Sequence, residues 1–158
     1  MYRVFLGIGS NLGDREKTIS EALLLLGLKV GQIIQTSSII ETAAWGKKNS
    51  PNYLNAVLEI NSKLLPLGLI KTVLEIEKSL GRERIEKWAS RTIDIDILYF
   101  ENWHFNTPSL IIPHPYIHLR KFVLEPLVEI SPEFIHPIFQ KSNTELCEIS
   151  FEKESVKP

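Results

Sequence analysis

Apolar and polar positions change period several times along this chain, and each change predicts an element. Residues 2–9 form a nearly continuous apolar run ending at Gly7 and Gly9, which predicts a buried first strand and a Ser-Asn-Leu-Gly-Asp turn. From about Asp14 the period becomes helical, with Ile19, Ala22, Leu23 and Leu26 on one stripe and Gly27 near its end. Residues 31–42 read as a second strand and 43–51 as a loop. The clearest alternation is at 53–61, where Leu54, Ala56, Leu58 and Ile60 face a core while Tyr53, Asn55 and Val57 face the other way. Pro66 opens a second helix with Leu69, Ile70, Val73, Ile76 and Leu80 inward, and Gly81 stands at its C-terminal cap. A charged loop at 82–91 leads into an alternating strand at 92–100, and Glu101-Asn102 suits a hairpin turn into a short strand at 103–106. Proline-rich segments follow, with short helices at about 117–130 and 142–149. Helices alternate with strands and a hairpin is present, so the expected class is α+β with a largely antiparallel sheet.

Composition narrows the function more than the fold. At 158 residues the chain has the length of one ordinary domain, and 1–158 is expected to be a single unit. A net charge of −1 argues against partners recognised by bulk electrostatics, so neither nucleic acid nor a membrane surface is expected. Against that balance a local basic cluster is informative. The one cysteine, Cys147, can form no internal disulfide, which suits a reducing compartment. The first apolar run is too short for a signal peptide, and no run approaches the roughly 20 apolar residues of a spanning helix. A cytoplasmic protein is expected.

The strongest chemical signal is Arg91-Thr92-Ile93-Asp94-Ile95-Asp96-Ile97. Residues two apart in a strand share a face, so Asp94 and Asp96 present adjacent carboxylates while Ile93, Ile95 and Ile97 pack inward. Two such charges repel unless cations intervene, and a few hard oxygens suit magnesium that keeps its waters and adds phosphate oxygens. The alternative is a solvated strand face. Just upstream, residues 81–91 carry Arg82, Arg84, Lys87, Arg91 and Trp88. Arginine forks bind phosphate, and the indole could cover a ring; the alternative is an ordinary charged loop balanced by Glu83 and Glu86. His114 is held between Pro113 and Pro115, where either ring nitrogen could donate to phosphate, whereas His104, His118 and His136 read as structural. Tyr53 and Asn55 offer a stacking ring beside an amide, which suits a flat heterocycle or simply an exposed strand face. Glu77 falls on the inward stripe of its helix and needs a partner or a role. Gly7, Gly9 and Gly13 imitate a dinucleotide fingerprint, with the third glycine one residue late and Glu41 after the second strand. No Walker loop is present, which excludes a P-loop kinase.

Five ordered blocks together resemble the 6-hydroxymethyl-7,8-dihydropterin pyrophosphokinases of folate synthesis. They are Leu6–Asp14, Glu41–Gly46, Pro51–Val57, Gly81–Ile97 and Pro113–Leu127, and the match runs from about residue 3 to 130. The resemblance implies a ferredoxin-like α/β sandwich, its largely antiparallel sheet flanked by helices, that transfers pyrophosphate from ATP to 6-hydroxymethyl-7,8-dihydropterin and releases AMP. It implies that Asp94 and Asp96 bind two Mg²⁺ ions, and that Tyr53 and Phe122 sandwich the pterin. Thr42, Ala44, Trp45 and Asn55 would then read the pterin edge. Glu77, Arg82, Arg84, Trp88, Arg91, Ile97, His114 and Arg120 would line the ATP side, Arg82 and Arg91 acting in catalysis with the two aspartates. A monomer is expected. Several positions depart from the family pattern: Ala89-Ser90 for a common Gly-Pro, Lys87 for an arginine, Tyr116 for an arginine and Ala44 for a proline. Two other classes stay open on the residues: a small nicotinamide oxidoreductase built on the glycine-rich turn, and a ferredoxin-like RNA-binding module using Tyr53.

Overall fold

The computed structural model describes residues 1–44, 50–81 and 92–155. In chain order these form β1 (Tyr2–Ser10), α1 (Arg15–Lys29), β2 (Gly31–Thr36), β3 (Ile40–Thr42), β4 (Tyr53–Ser62) and α2 (Pro66–Ser79). Then come β5 (Asp94–Phe100), β6 (Phe105–Thr107), β7 (Leu110–Ile112), a 3-10 turn at Ile117–Leu119, α3 (Lys121–Ile130) and α4 (Asn143–Ser155). The main sheet runs β2-β4-β1-β5, with β3 also paired to β4, and every ladder is antiparallel. With one helix after β1 and another after β4, this is the ferredoxin-like arrangement.

Both faces of the sheet are covered, because strand alternation feeds two cores. Val4, Leu6, Ile8, Leu58, Ile60, Ile95 and Ile97 pack under Ile19, Ala22 and Leu26 of α1 and Leu69, Val73 and Ile76 of α2. Phe5, Val57, Leu98 and Tyr99 pack on the other side under Val123, Leu124 and Leu127 of α3 and Leu146 of α4. A bulge keeps β5 in step with both. Phe5 opposes Tyr99 and Leu6 opposes Ile97, so Leu98 is the extra residue. It lets Leu98 and Tyr99 share the α3 side and returns Phe100 to the first core.

Two expected elements come out differently. The strand expected at 31–42 is two strands, because Ser37 turns into β4. Its N–H donates to the Val57 carbonyl at 2.8 Å, and its Oγ accepts from the Val57 N–H at 2.9 Å. The Glu101 turn exists, with Glu101 at φ 48° and the Trp103 N–H on the Phe100 carbonyl at 3.0 Å. The segment after it, however, pairs with β7 rather than folding back on β5. Trp103 is held instead against Tyr2 and Phe100, with ring centroids 5.4 and 5.0 Å away. Helix α1 has Gly27 near its end as expected, and its cap is Val30, whose N–H bonds the Leu26 carbonyl.

Candidate active site

The middle strand carries glycine where its neighbours carry chemistry. On β1, Gly9 lies between Asn55 of β4 and Asp94 of β5, and Gly7 lies between Val57 and Asp96. These positions share the α3 face of the sheet. A Cβ on Gly9 would meet Asn55 Oδ1 at 2.9 Å and Tyr53 Cδ1 at 3.4 Å, so the amide and the phenol lean over the bare backbone. The two glycines therefore put no side chain of their own between the Tyr53-Asn55 side and the Asp94-Asp96 side, and Leu98 lies 3.5 Å from the Cβ position at Gly7. Both glycines are interior strand residues in an antiparallel sheet. A dinucleotide fingerprint needs a glycine loop in a parallel β-α-β unit, so the nicotinamide alternative has no place to stand. Nor is this the bare sheet face of a ferredoxin-like RNA binder, because α3 and α4 pack over its Phe5, Val57, Leu98 and Tyr99 part.

The β4 wall is set by short-range bonds. Asn55 is buried, and its Nδ2 donates to Thr42 Oγ1 at 2.7 Å, which fixes the direction of the amide. Thr42 pairs in register with Tyr53, and Ala44 follows just beyond β3. Phe122, in the first turn of α3, packs against the α3-side core.

The β5 wall is electrostatic. Asp94 and Asp96 lie on one face as expected, with Ile93, Ile95 and Ile97 in the opposite core. Only main-chain groups of Ile97 are therefore left for any ligand. Asp96 Oδ2 accepts a 3.0 Å bond from Arg120 Nη1, and the side chains of Asp96 and Arg120 retain 34% and 17% exposure. His114 Nε2 stands 3.7 Å from that oxygen and 3.5 Å from Arg120 Nη1. The imidazole is anchored from behind. The backbone N–H of His114 donates to the Leu98 carbonyl at 2.9 Å, and the ring Nδ1 accepts from the Tyr116 N–H at 3.2 Å. Burial, aided by the Arg120 charge, pushes the His114 pKa down to about 4. The ring is thus neutral near pH 7, and with Nδ1 accepting, its proton sits on Nε2, facing Asp96. The Arg120 guanidinium lies between the Tyr116 and Phe122 rings, 5.6 and 5.8 Å from their centroids.

Glu77 finds its partner across the open edge of the sheet. It is 1% exposed, and its Oε1 accepts the Ile95 N–H at 2.7 Å, so α2 supplies an edge strand with a missing acceptor. Among the described residues no third histidine, cysteine or carboxylate joins Asp94 and Asp96 in a closed metal cage. Two carboxylates open toward a groove are the donor set that magnesium shares with waters and phosphates.

Comparison with known proteins places this geometry. Residues 5–132 match the family model described as 7,8-dihydro-6-hydroxymethylpterin-pyrophosphokinase. The chain belongs to this family. It is accordingly an ATP-dependent pyrophosphokinase, a transferase of folate biosynthesis acting on a hydroxymethyl dihydropterin. The 2-amino-4-hydroxy-6-hydroxymethyldihydropteridine pyrophosphokinase of Aquifex aeolicus is 42% identical over 141 residues, covering 89% of this chain and 88% of that protein. The Bacillus subtilis enzyme of the same name is 40% identical over 127 residues, 80% and 76% of the two chains. In fold, the chain superposes on a Plasmodium falciparum HPPK-DHPS structure with a TM-score of 0.79 at 18% identity, covering 98% of this chain but 43% of that longer one.

Of the residues expected on the pterin side, Thr42, Tyr53 and Asn55 converge at the groove, and Phe122 lies on the same face of the sheet. Asp94, Asp96, His114 and Arg120 converge opposite them, and Glu77 lies behind β5. Trp45, Arg82, Arg84, Trp88 and Arg91 lie outside the described residues, as do Lys87 and Ala89-Ser90. Sequence reasoning missed the floor that Gly7 and Gly9 provide, which needs the strand order to be seen. It also missed the pairing of Arg120 with Asp96, which no spacing announces.

Proposed function

We propose that Asp94 and Asp96 hold two Mg²⁺ ions with the ATP phosphates in the groove, opposite a pterin stacked between Tyr53 and Phe122. The observation that carries this reading is the register. Gly7 and Gly9 set Asn55 and Tyr53 across from Asp94 and Asp96 with no side chain of their own between them. When bound, the metal would neutralise phosphate charge and polarise the attacking hydroxyl. The chain's own contribution is position and direction. Thr42 orients the Asn55 amide toward the donor-acceptor edge of the heterocycle, with Ala44 and Trp45 supplying main-chain contacts beside it. His114 offers an Nε2 proton and Arg120 a guanidinium to phosphate oxygens on the far side. Arg82 and Arg91 would close over the triphosphate and stabilise the transferring group, with Arg84 and Trp88 on the same ATP side. Glu77 and the Ile97 main chain define the nucleotide edge of the pocket. The hydroxymethyl oxygen then attacks the β-phosphorus in line, and AMP leaves; such transfer depends on positioning more than on covalent help.

The protein would work as one domain, 1–158, as a cytoplasmic monomer. Among the described residues no helix is long and apolar enough to cross a membrane. The direct test is AMP release from ATP with hydroxymethyldihydropterin and magnesium, followed by titration of Tyr53→Ala and Phe122→Ala. Each should weaken pterin binding by roughly 1–3 kcal/mol, the range for ring stacking, with ATP affinity unchanged. Equal weakening of both ligands would make the rings structural.

A further inference from the structure

We infer that Arg120 is a stand-in cation for Asp96, one that makes the metal enter with the nucleotide rather than ahead of it. The inference rests on the reading of Asp94 and Asp96 as metal ligands and concerns what guards them when no ligand is present. Two carboxylates on one strand face need positive charge nearby. The structure supplies it from within: Arg120 Nη1 is 3.0 Å from Asp96 Oδ2. This is no loose surface pair. The arginine side chain is mostly buried, lies between the Tyr116 and Phe122 rings, and leaves the chain at the residue preceding α3. Among the described residues, the other basic side chain near that oxygen is His114, whose Nε2 stands farther off at 3.7 Å.

A free divalent ion approaching Asp96 must therefore displace a guanidinium that has little room to reach water. Stripping a mostly buried arginine of its carboxylate costs more than losing an exposed pair, so free metal binds weakly. A metal-nucleotide complex brings its own solution. Its phosphate oxygens present the planar, bidentate target that guanidinium prefers, so Arg120 exchanges a carboxylate for a phosphate as Asp96 exchanges arginine for metal. Both exchanges happen together, which makes metal and nucleotide bind with positive coupling, and linkage requires that coupling to be reciprocal. A lysine could not replace the arginine, because a point charge would satisfy the carboxylate without the fork that the phosphate then uses.

The test is binding of Mn²⁺, followed by its electron paramagnetic resonance signal, to wild type, Arg120→Gln, Arg120→Ala and Asp96→Asn. Each is measured with and without a non-hydrolysable ATP analogue, with circular dichroism to establish folding. The expected result is free Mn²⁺ binding roughly tenfold tighter in both Arg120 variants than in wild type, a difference of about 1.4 kcal/mol. Nucleotide affinity should fall in the same variants, so that the coupling shrinks from both directions. A purely structural arginine would not make metal binding stronger when removed. Unchanged or weaker free Mn²⁺ binding in both variants, with nucleotide-dependent Mn²⁺ binding still requiring Asp96, overturns the stand-in role and leaves the metal assignment standing. If Asp96→Asn leaves Mn²⁺ binding untouched with and without nucleotide, the assignment of Asp96 as ligand fails and the inference fails with it.

Discussion

Two ends of one sheet face both carry charge, and they are built in opposite ways. At the far end of β1, Arg3 Nε lies 2.7 Å from Glu59 Oε1, and Nη2 lies 3.2 Å from Glu59 Oε2 and from Ser131 Oγ. Gln35 Nε2 completes the group, donating at 2.8 Å to Glu59 Oε2 and to the Ile130 carbonyl. The residue beneath is Phe5, which opposes Glu59 in register and lies 4.9 Å below the guanidinium. At the near end the carboxylates of Asp94 and Asp96 stand beside Gly9 and Gly7. One cluster is saturated with partners and backed by a ring; the other faces bare backbone. Charge density alone does not separate a clamp from a site. What lies between the charged strands does.

The largest effects should come from the groove. Asp94→Ala and Asp96→Ala should each lower turnover by roughly 10³-fold or more in an AMP-release assay, because the phosphate charge loses its counterion anchor. Asp96→Ala also deprives Arg120 of its 3.0 Å partner and should melt at lower temperature. Indifferent turnover in either variant would return β5 to a solvated face. Glu59→Gln reverses the pattern: a loss of about 2 kcal/mol in urea unfolding, with AMP release unchanged, because a mostly buried partner of Arg3 loses its charge. A Glu59 variant that is stable but inactive would merge the two clusters into one site.

Gly9→Ala should be subtler. Its methyl would press on Asn55 Oδ1 and Tyr53, so pterin affinity should drop about tenfold by calorimetry, in the range of mild overpacking, with ATP affinity nearly unchanged. The smallest effect belongs to acid at the clamp end. His136 is buried behind Phe139 and Tyr99, its Nδ1 accepts from the Ile138 and Phe139 N–H groups, and its pKa is pushed down to about 4. Between about pH 6.5 and 4 only the unfolded chain takes up that proton, so stability falls as pH falls. At about pH 5.7 the loss relative to pH 7 should be about 1 kcal/mol, and His136→Asn should flatten it while keeping an acceptor for the two N–H groups. A slope unchanged in that variant would assign the acid sensitivity elsewhere.

Alternation made much of this legible in advance. The Asp94/Asp96 pair, the inward isoleucines and the Tyr53-Asn55 face follow from period two alone, and the α2 stripe from period 3.6. What escaped was whatever depends on a neighbour far along the chain. The break at Ser37 answers to Val57, and the Leu98 bulge answers to the need for Tyr99 on the α3 side. Glu77 looked anomalous because its partner, the Ile95 N–H, belongs to a sheet edge that no local pattern reveals. Arg120, expected as a phosphate contact, also pairs with Asp96 at 3.0 Å, a contact made across 24 residues that no local spacing reveals.

Gly7 and Gly9 also set a limit on how this protein can be made hardier. Glycine inside a central strand costs on the order of 1 kcal/mol against residues with side chains, so a search guided by strand preference would replace both first. At Gly7 an added methyl would make ordinary contact with Leu98 at 3.5 Å, and the melting temperature should rise. The same methyl would stand between Val57 and Asp96, on the floor the substrates need. A library selected for heat resistance alone would fill in the groove and yield a tougher, inert protein.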